Sequence, residues 1–179
     1  QYAALYSETV TVQLENDFLP FLYPNQYVNF TPDSKASQLA LSLIDEDTVD
    51  VDALQQIYDY VVSNLTYDYE KADTVTTGYL PDVDETLKTG TGICFDYAAL
   101  TTAMLRSCDI PCKLQIGYAG DIKHAWIDVY IRSKGWVNQA VSFKGDTWTL
   151  MDPTFDSNSD DKEAIQDYIG DESNYTVQF

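Results

Sequence analysis

At Pro111 the spacing of apolar residues in this chain changes period, and the change separates a helix-forming stretch from a strand-forming one. Before it, Ala98, Ala99, Leu100, Ala103, Met104 and Leu105 are good helix formers. They predict a helix from Cys94 to about Arg106 that Pro111 cannot continue. After it, Leu114, Ile116 and Tyr118 alternate in one strand, and Ala125, Ile127, Val129 and Ile131 alternate in the next. The second strand leaves His124, Trp126, Asp128 and Tyr130 on its opposite face. Gly135–Phe143 and Thr147–Met151 read as a further hairpin turning at Lys144-Gly145-Asp146.

Upstream, residues 7–15 alternate as a half-buried strand would, with Val10, Val12 and Leu14 on one side. Pro20, Pro24 and Pro32 then punctuate an aromatic-rich loop through Phe18, Phe21, Tyr23, Tyr27 and Phe30. A helix is expected from Asp33 or Ser34, carrying Leu39, Leu41, Leu43 and Ile44, and a second from about Val51 to Leu65. Residues 67–87 read as an ordered loop, and Gly90-Thr91-Gly92 as a tight turn. Ser157–Glu163 reads as a polar loop and Ala164–Ile169 as a short terminal helix. With neither repeat nor low-complexity linker, the 179 residues predict one domain.

Charge narrows the function classes. Twenty-nine acidic against ten basic side chains give a net charge of −19, with no local cluster of lysine and arginine. Such a surface repels phosphate, so nucleic acid and anionic membranes are poor partners. No apolar run approaches the roughly 18–20 residues that span a bilayer. The chain starts at Gln1 without a methionine, which fits a trimmed export leader or a domain cut from a longer protein. Of the three cysteines, Cys108 and Cys112 bracket a turn, where they would form a small disulfide or stay as two buried thiols; Cys94 is left over in either case.

The leftover thiol gains meaning only in combination with two other residues. Cys94 falls where the helical pattern begins, so first-turn N–H donors and the helix dipole would favour its thiolate and could hold an oxyanion. His124, the single histidine of the chain, follows thirty residues later at a strand start, and Asp152 twenty-eight residues after that, ahead of Pro153. Cysteine, imidazole and carboxylate are the minimum parts for thiol-based acyl transfer. Taken singly, each is more often inert packing, a satisfied polar residue or a turn.

The blocks Gly90-Thr-Gly-Ile-Cys94-Phe-Asp-Tyr-Ala98, Met104-Leu-Arg106, Ile110-Pro-Cys112, Gly117-Tyr-Ala119, His124-Ala-Trp126 and Trp148-Thr-Leu-Met-Asp152-Pro-Thr-Phe155, in that order, resemble the transglutaminase-like superfamily, its prokaryotic members above all. Asn64-Leu-Thr-Tyr-Asp68 and Gly78-Tyr-Leu-Pro-Asp82 resemble the family's lead-in to the cysteine. The resemblance spans about residues 33–156, leaving 1–32 as a lead-in and 157–179 as an acidic tail. It implies an α+β, papain-like core in which the nucleophile helix packs on an antiparallel sheet. It also implies that Cys94, His124 and Asp152 are the catalytic residues, that Trp126 lines the cleft beside the imidazole, and that Tyr69 or Tyr67 could supply a second oxyanion donor. The implied chemistry is attack on a peptide or carboxamide carbonyl to form a thioester. Release to water is favoured over release to an amine, and no cofactor is required. The partner would be a protein or peptide substrate, met outside the cell or at its surface. A binding or scaffold domain that keeps the fold is the alternative from another class.

Other motifs weigh less. Asp156, Asn158, Asp160 and Asp167 echo a calcium loop, but Asp161 stands where its sharp turn needs glycine, so no metal site is expected. Neither does one histidine with separated cysteines make a zinc set. Asn29, Asn64 and Asn174 would be glycosylation acceptors only in a eukaryotic secreted chain. Asp96, in the first helical turn, reads as a structural partner of the dipole whose charge slightly opposes a thiolate.

Overall fold

A computed structural model describes residues 6–13, 15–119, 122–137, 141–144, 147–150 and 175–177. At its centre lies α5 (Cys94–Ser107), which is buried at every residue from Asp96 to Arg106 and ends four residues before Pro111, in a turn with Asp109 at φ 58°. The small side chains Ala98, Ala99 and Ala103 let neighbouring elements approach closely, while Leu100, Met104 and Leu105 fill the spaces between them. Each of those three larger side chains is fully buried, which stabilises the fold by about 1.5–3 kcal/mol apiece.

Helices α1 (Lys35–Leu43), α2 (Asp50–Asn64) and α4 (Val83–Thr89) pack against α5, as do strands β3 (Cys112–Ala119) and β4 (Ile122–Ile131). The main sheet is antiparallel, with strand order β5-β4-β3-β8, where β5 is Gly135–Val137 and β8 is Tyr175–Val177. Its register pairs Cys112 with Val129 and Gly117 with His124. A separate hairpin joins β6 (Val141–Lys144) to β7 (Thr147–Leu150). The architecture is α+β, as expected.

The C-terminal end of α5 is tied to the sheet by Arg106. Its Nε and Nη2 donate to the Cys112 carbonyl at 3.0 and 2.7 Å, and its Nη1 donates to the Tyr23 carbonyl at 2.7 Å. The lead-in to the core is thereby anchored. Its Phe18 and Phe21 pack on Tyr130 and Trp136, and its Val28 and Phe30 enter the core.

Three expectations need correction. Residues 6–13 form no strand and are exposed throughout, because alternation makes a strand only where a neighbouring strand takes up the backbone donors and acceptors. The stretch expected as one loop, 67–87, contains the short helix α3 (Tyr69–Thr74) and the start of α4. Each is capped by an aspartate: Asp68 accepts from the Lys71 N–H, and Asp82 accepts from the N–H groups of Asp84 and Glu85. The Gly90–Gly92 segment turns, with Gly90 at φ 65°, but it also forms β2 (Thr91–Gly92), which pairs in parallel with β1 (Thr66–Tyr67). The 157–163 loop, the 164–169 helix, the acidic loop 156–167 and Asn174 lie outside the described residues.

Candidate active site

The expected nucleophile, Cys94, is the first residue of α5 and is half-buried. Its position depends on the preceding turn. Ile93 caps the helix in extended conformation, and its N–H donates to Oδ2 of Asp96 at 2.8 Å. Asp96 reaches that donor by folding back over Gly92, where an added Cβ would stand 2.6 Å from the Cβ of Asp96. Only glycine leaves room for this turn.

Asp96 is completely buried, and a buried carboxylate requires partners. Lys71 Nζ stands 2.7 Å from Oδ2, and the Tyr79 hydroxyl donates to Oδ1. Lys71 also donates to Tyr79 Oη at 2.7 Å. Partial burial works against the Lys71 ammonium, but its bonds to Asp96 and Tyr79 outweigh that and hold it above its ordinary value. Burial, followed by the Asp96 carboxylate, pushes the Tyr79 phenol up as well. Both therefore carry their protons at neutral pH. The backbone closes the arrangement, since the Asp68 N–H donates to the Gly92 carbonyl at 2.9 Å. Lys71 and Tyr79 are residues that the sequence did not single out. They lie 25 and 17 positions before Asp96, beyond the reach of any local pattern.

Aromatic rings surround the helix start. Phe95 meets Tyr27 and Tyr79 at centroid distances of 6.1 and 6.3 Å. Tyr67 meets Tyr97 at 6.5 Å, and on it rests Tyr69, edge-on at 5.0 Å and largely exposed.

His124 is buried near the start of β4, and its ring stacks on that of Trp126 with centroids 6.2 Å apart and planes 19° apart. Beyond Trp126 on the same face, Asp128 accepts from Gln115 Nε2 at 2.7 Å. The other face of β4, with Ala125, Ile127 and Val129, joins the core around α5.

One contact ties α5 to the sheet: the Cys112 thiol donates to the Thr102 hydroxyl at 3.4 Å. Thr102 lies about two turns along α5 from Cys94, and His124 pairs with Gly117 in the β3–β4 register. Asp152 lies outside the described residues.

Cys108 and Cys112 are free thiols, so the disulfide alternative falls away. Burial pushes them up to about 11 and about 12, respectively, which makes both inert at neutral pH. Among the described residues no cluster of three or more His, Cys, Asp or Glu could hold a metal ion, and no helix is long and apolar enough to cross a membrane.

Residues 37–153 match the family model of the transglutaminase-like superfamily. The chain belongs to the transglutaminase-like superfamily. Among solved structures it is similar to a candidate cysteine protease from Cytophaga hutchinsonii, with a TM-score of 0.59 and 22% identity over 92% of this chain and 46% of that one. It is also similar to the periplasmic domain of TgpA from Pseudomonas aeruginosa, with a TM-score of 0.54 and 18% identity over 80% of this chain and 49% of that one. Among curated proteins, the UPF0252 protein MJ1282 of Methanocaldococcus jannaschii is 36% identical over 62 residues, which cover 32% of this chain and 18% of that protein. This transglutaminase-like chain therefore spans less than half the length of each of these relatives. The likeness to the two solved structures is one of fold.

Proposed function

We propose that this transglutaminase-like domain is a cysteine-dependent acyl-transfer enzyme acting on peptide or carboxamide bonds, with Cys94 as nucleophile, His124 as base and Asp152 as the carboxylate that orients the imidazole. The observation that supports the reading is a half-buried thiol at the first residue of the central helix, with the single histidine of the chain buried and stacked on Trp126 in a strand that packs against that helix. β4 turns His124 away from the face whose Ala125, Ile127 and Val129 join the core around α5, so the proposed pair requires the imidazole to reach the sulfur around the strand end. Trp126, stacked on the ring, limits its rotation and lines the cleft.

In this mechanism the sulfur gives its proton to His124 and attacks the carbonyl. The Cys94 N–H, at the open end of the helix, holds the developing oxyanion, with Tyr69 or Tyr67 as a second donor. The imidazolium then passes its proton to the departing amine, leaving an acyl-thioester on Cys94. Water attacks that thioester with His124 again as base, releasing acid and free thiol. The cysteine-protease description of the Cytophaga protein supports water over an amine as acceptor, and the periplasmic TgpA domain supports an extracytoplasmic location.

The test is digestion of a peptide library by the wild-type chain and by Cys94→Ala, with and without a primary amine, read by mass spectrometry. Cleavage that requires Cys94 and adds water is expected. Amine adducts would indicate transfer instead, and equal product from Cys94→Ala would refute the proposal.

A further inference from the structure

We propose that Lys71, Asp96 and Tyr79 form a positioning unit for Cys94, which sets where the thiol points and how readily it releases its proton. The inference rests on the reading of Cys94 as nucleophile and extends it to three residues outside the expected catalytic set.

Two observations carry it. The first is mechanical. The Asp96 carboxylate accepts from the Ile93 N–H, which fixes the residue immediately before Cys94, and it does so only because Gly92 leaves room for the fold-back. Lys71 and Tyr79 grip both oxygens of that carboxylate, so the turn is held from α3 and from the loop after it as well as from α5. The second is electrostatic. A lone carboxylate two residues from the sulfur would disfavour a thiolate, and Asp96 is fully buried, so water does not screen it. Lys71, in contact at 2.7 Å, cancels that charge.

The groups around the turn are Asp96 on α5, Lys71 on α3 with its cap Asp68, and Tyr79 from the loop. Tyr67 on β1 and Tyr27 from the lead-in approach through Tyr97 and Phe95. His124 is the imidazole of β4. Of these, Lys71 is the cation that Asp96 contacts. The charge on this turn is therefore adjustable in both directions by single substitutions. Asp96→Asn keeps an acceptor oxygen for Ile93 and leaves the Lys71 charge unopposed. Lys71→Met removes the cation from a side chain that is already part exposed.

The experiment is the pH dependence of Cys94 carbamidomethylation by iodoacetamide in the full chain, resolved from Cys108 and Cys112 by peptide mass spectrometry. Lys71→Met is expected to move the midpoint up by about half a unit to one unit, making the reaction about three- to tenfold slower below the midpoint. Asp96→Asn is expected to move it down by a similar amount, and Lys71→Arg to restore it. Opposed shifts are what a merely structural role does not produce. Coincident midpoints, or shifts in one direction that track the loss of stability in urea, would overturn the proposal. A wild-type midpoint at the ordinary thiol value of about 8.5 counts separately, against the nucleophile reading. The direction of the two charge variants tests the unit whatever that midpoint is.

Discussion

Gly117 lies under the Trp126 indole. A Cβ on residue 117 would stand 2.8 Å from Cη2 of Trp126 and 1.9 Å from the carbonyl oxygen of Thr176 on the neighbouring strand. The absent side chain lets β8 pair with β3 and lets Trp126 lie flat enough to stack on His124.

Gly117→Ala is therefore expected to cost about 1–3 kcal/mol, the usual range for overpacking, and to disturb the pocket around the imidazole. Urea unfolding followed by tryptophan fluorescence measures the first effect. Unchanged stability would mean that the strands part without cost.

Arg106 provides a contrasting case at the far end of α5. Arg106→Ala leaves the buried Cys112 carbonyl without its two guanidinium donors and frees the lead-in at Tyr23. A loss of about 2–4 kcal/mol is expected. Arg106→Lys recovers part of it, because an ammonium cannot reproduce the planar fork. Twelve helical residues, about 18 Å, separate Arg106 from Cys94. The fraction that remains folded should keep wild-type Cys94 alkylation rates.

The two inert thiols set an alkaline limit. The folded state raises Cys108 from 9.0 to about 11 and Cys112 from 9.0 to about 12. Unfolded thiols release their protons above about 9 while folded ones keep them, so stability is fully present below pH 9 and falls as pH rises from there toward 12. The urea midpoint should drop between pH 8 and pH 10.5, and the drop should be shallower in Cys112→Val. An equal slope in that variant would show that other groups cause the decline.

The features legible in the sequence are the local ones. Helix α5 and strands β3 and β4 were clear because Pro111 divides two strong periodicities. Asp96 is legible as a first-turn acid, but its lysine partner is not, because Lys71 lies 25 positions away on another helix, outside any local pattern. Helices α3 and α4 carry too short an apolar stripe to register, although Asp82 followed by Glu85 is a usable helix-start signal. The strand expected over 7–15 fails for the opposite reason: its alternation is clean, but among the described residues no strand pairs with residues 6–13.

Asp152→Asn is expected to leave the fold intact by circular dichroism while lowering peptide cleavage by about 10³–10⁴-fold, by analogy with the orienting carboxylate of serine triads. Loss of folding together with activity would make Asp152 a structural residue.

In the proposed mechanism the Cys94 sulfur and the His124 imidazole form one proton-sharing pair. His124 is the only histidine in the chain, so its ring resonances can be followed by NMR through a pH titration without ambiguity. In the wild type the imidazole should titrate well above its ordinary value of about 6.5, because a neighbouring thiolate stabilises the charged ring. In Cys94→Ala it should fall back. Identical titrations in the two proteins would mean that the ring does not sense the sulfur, and would contradict the account.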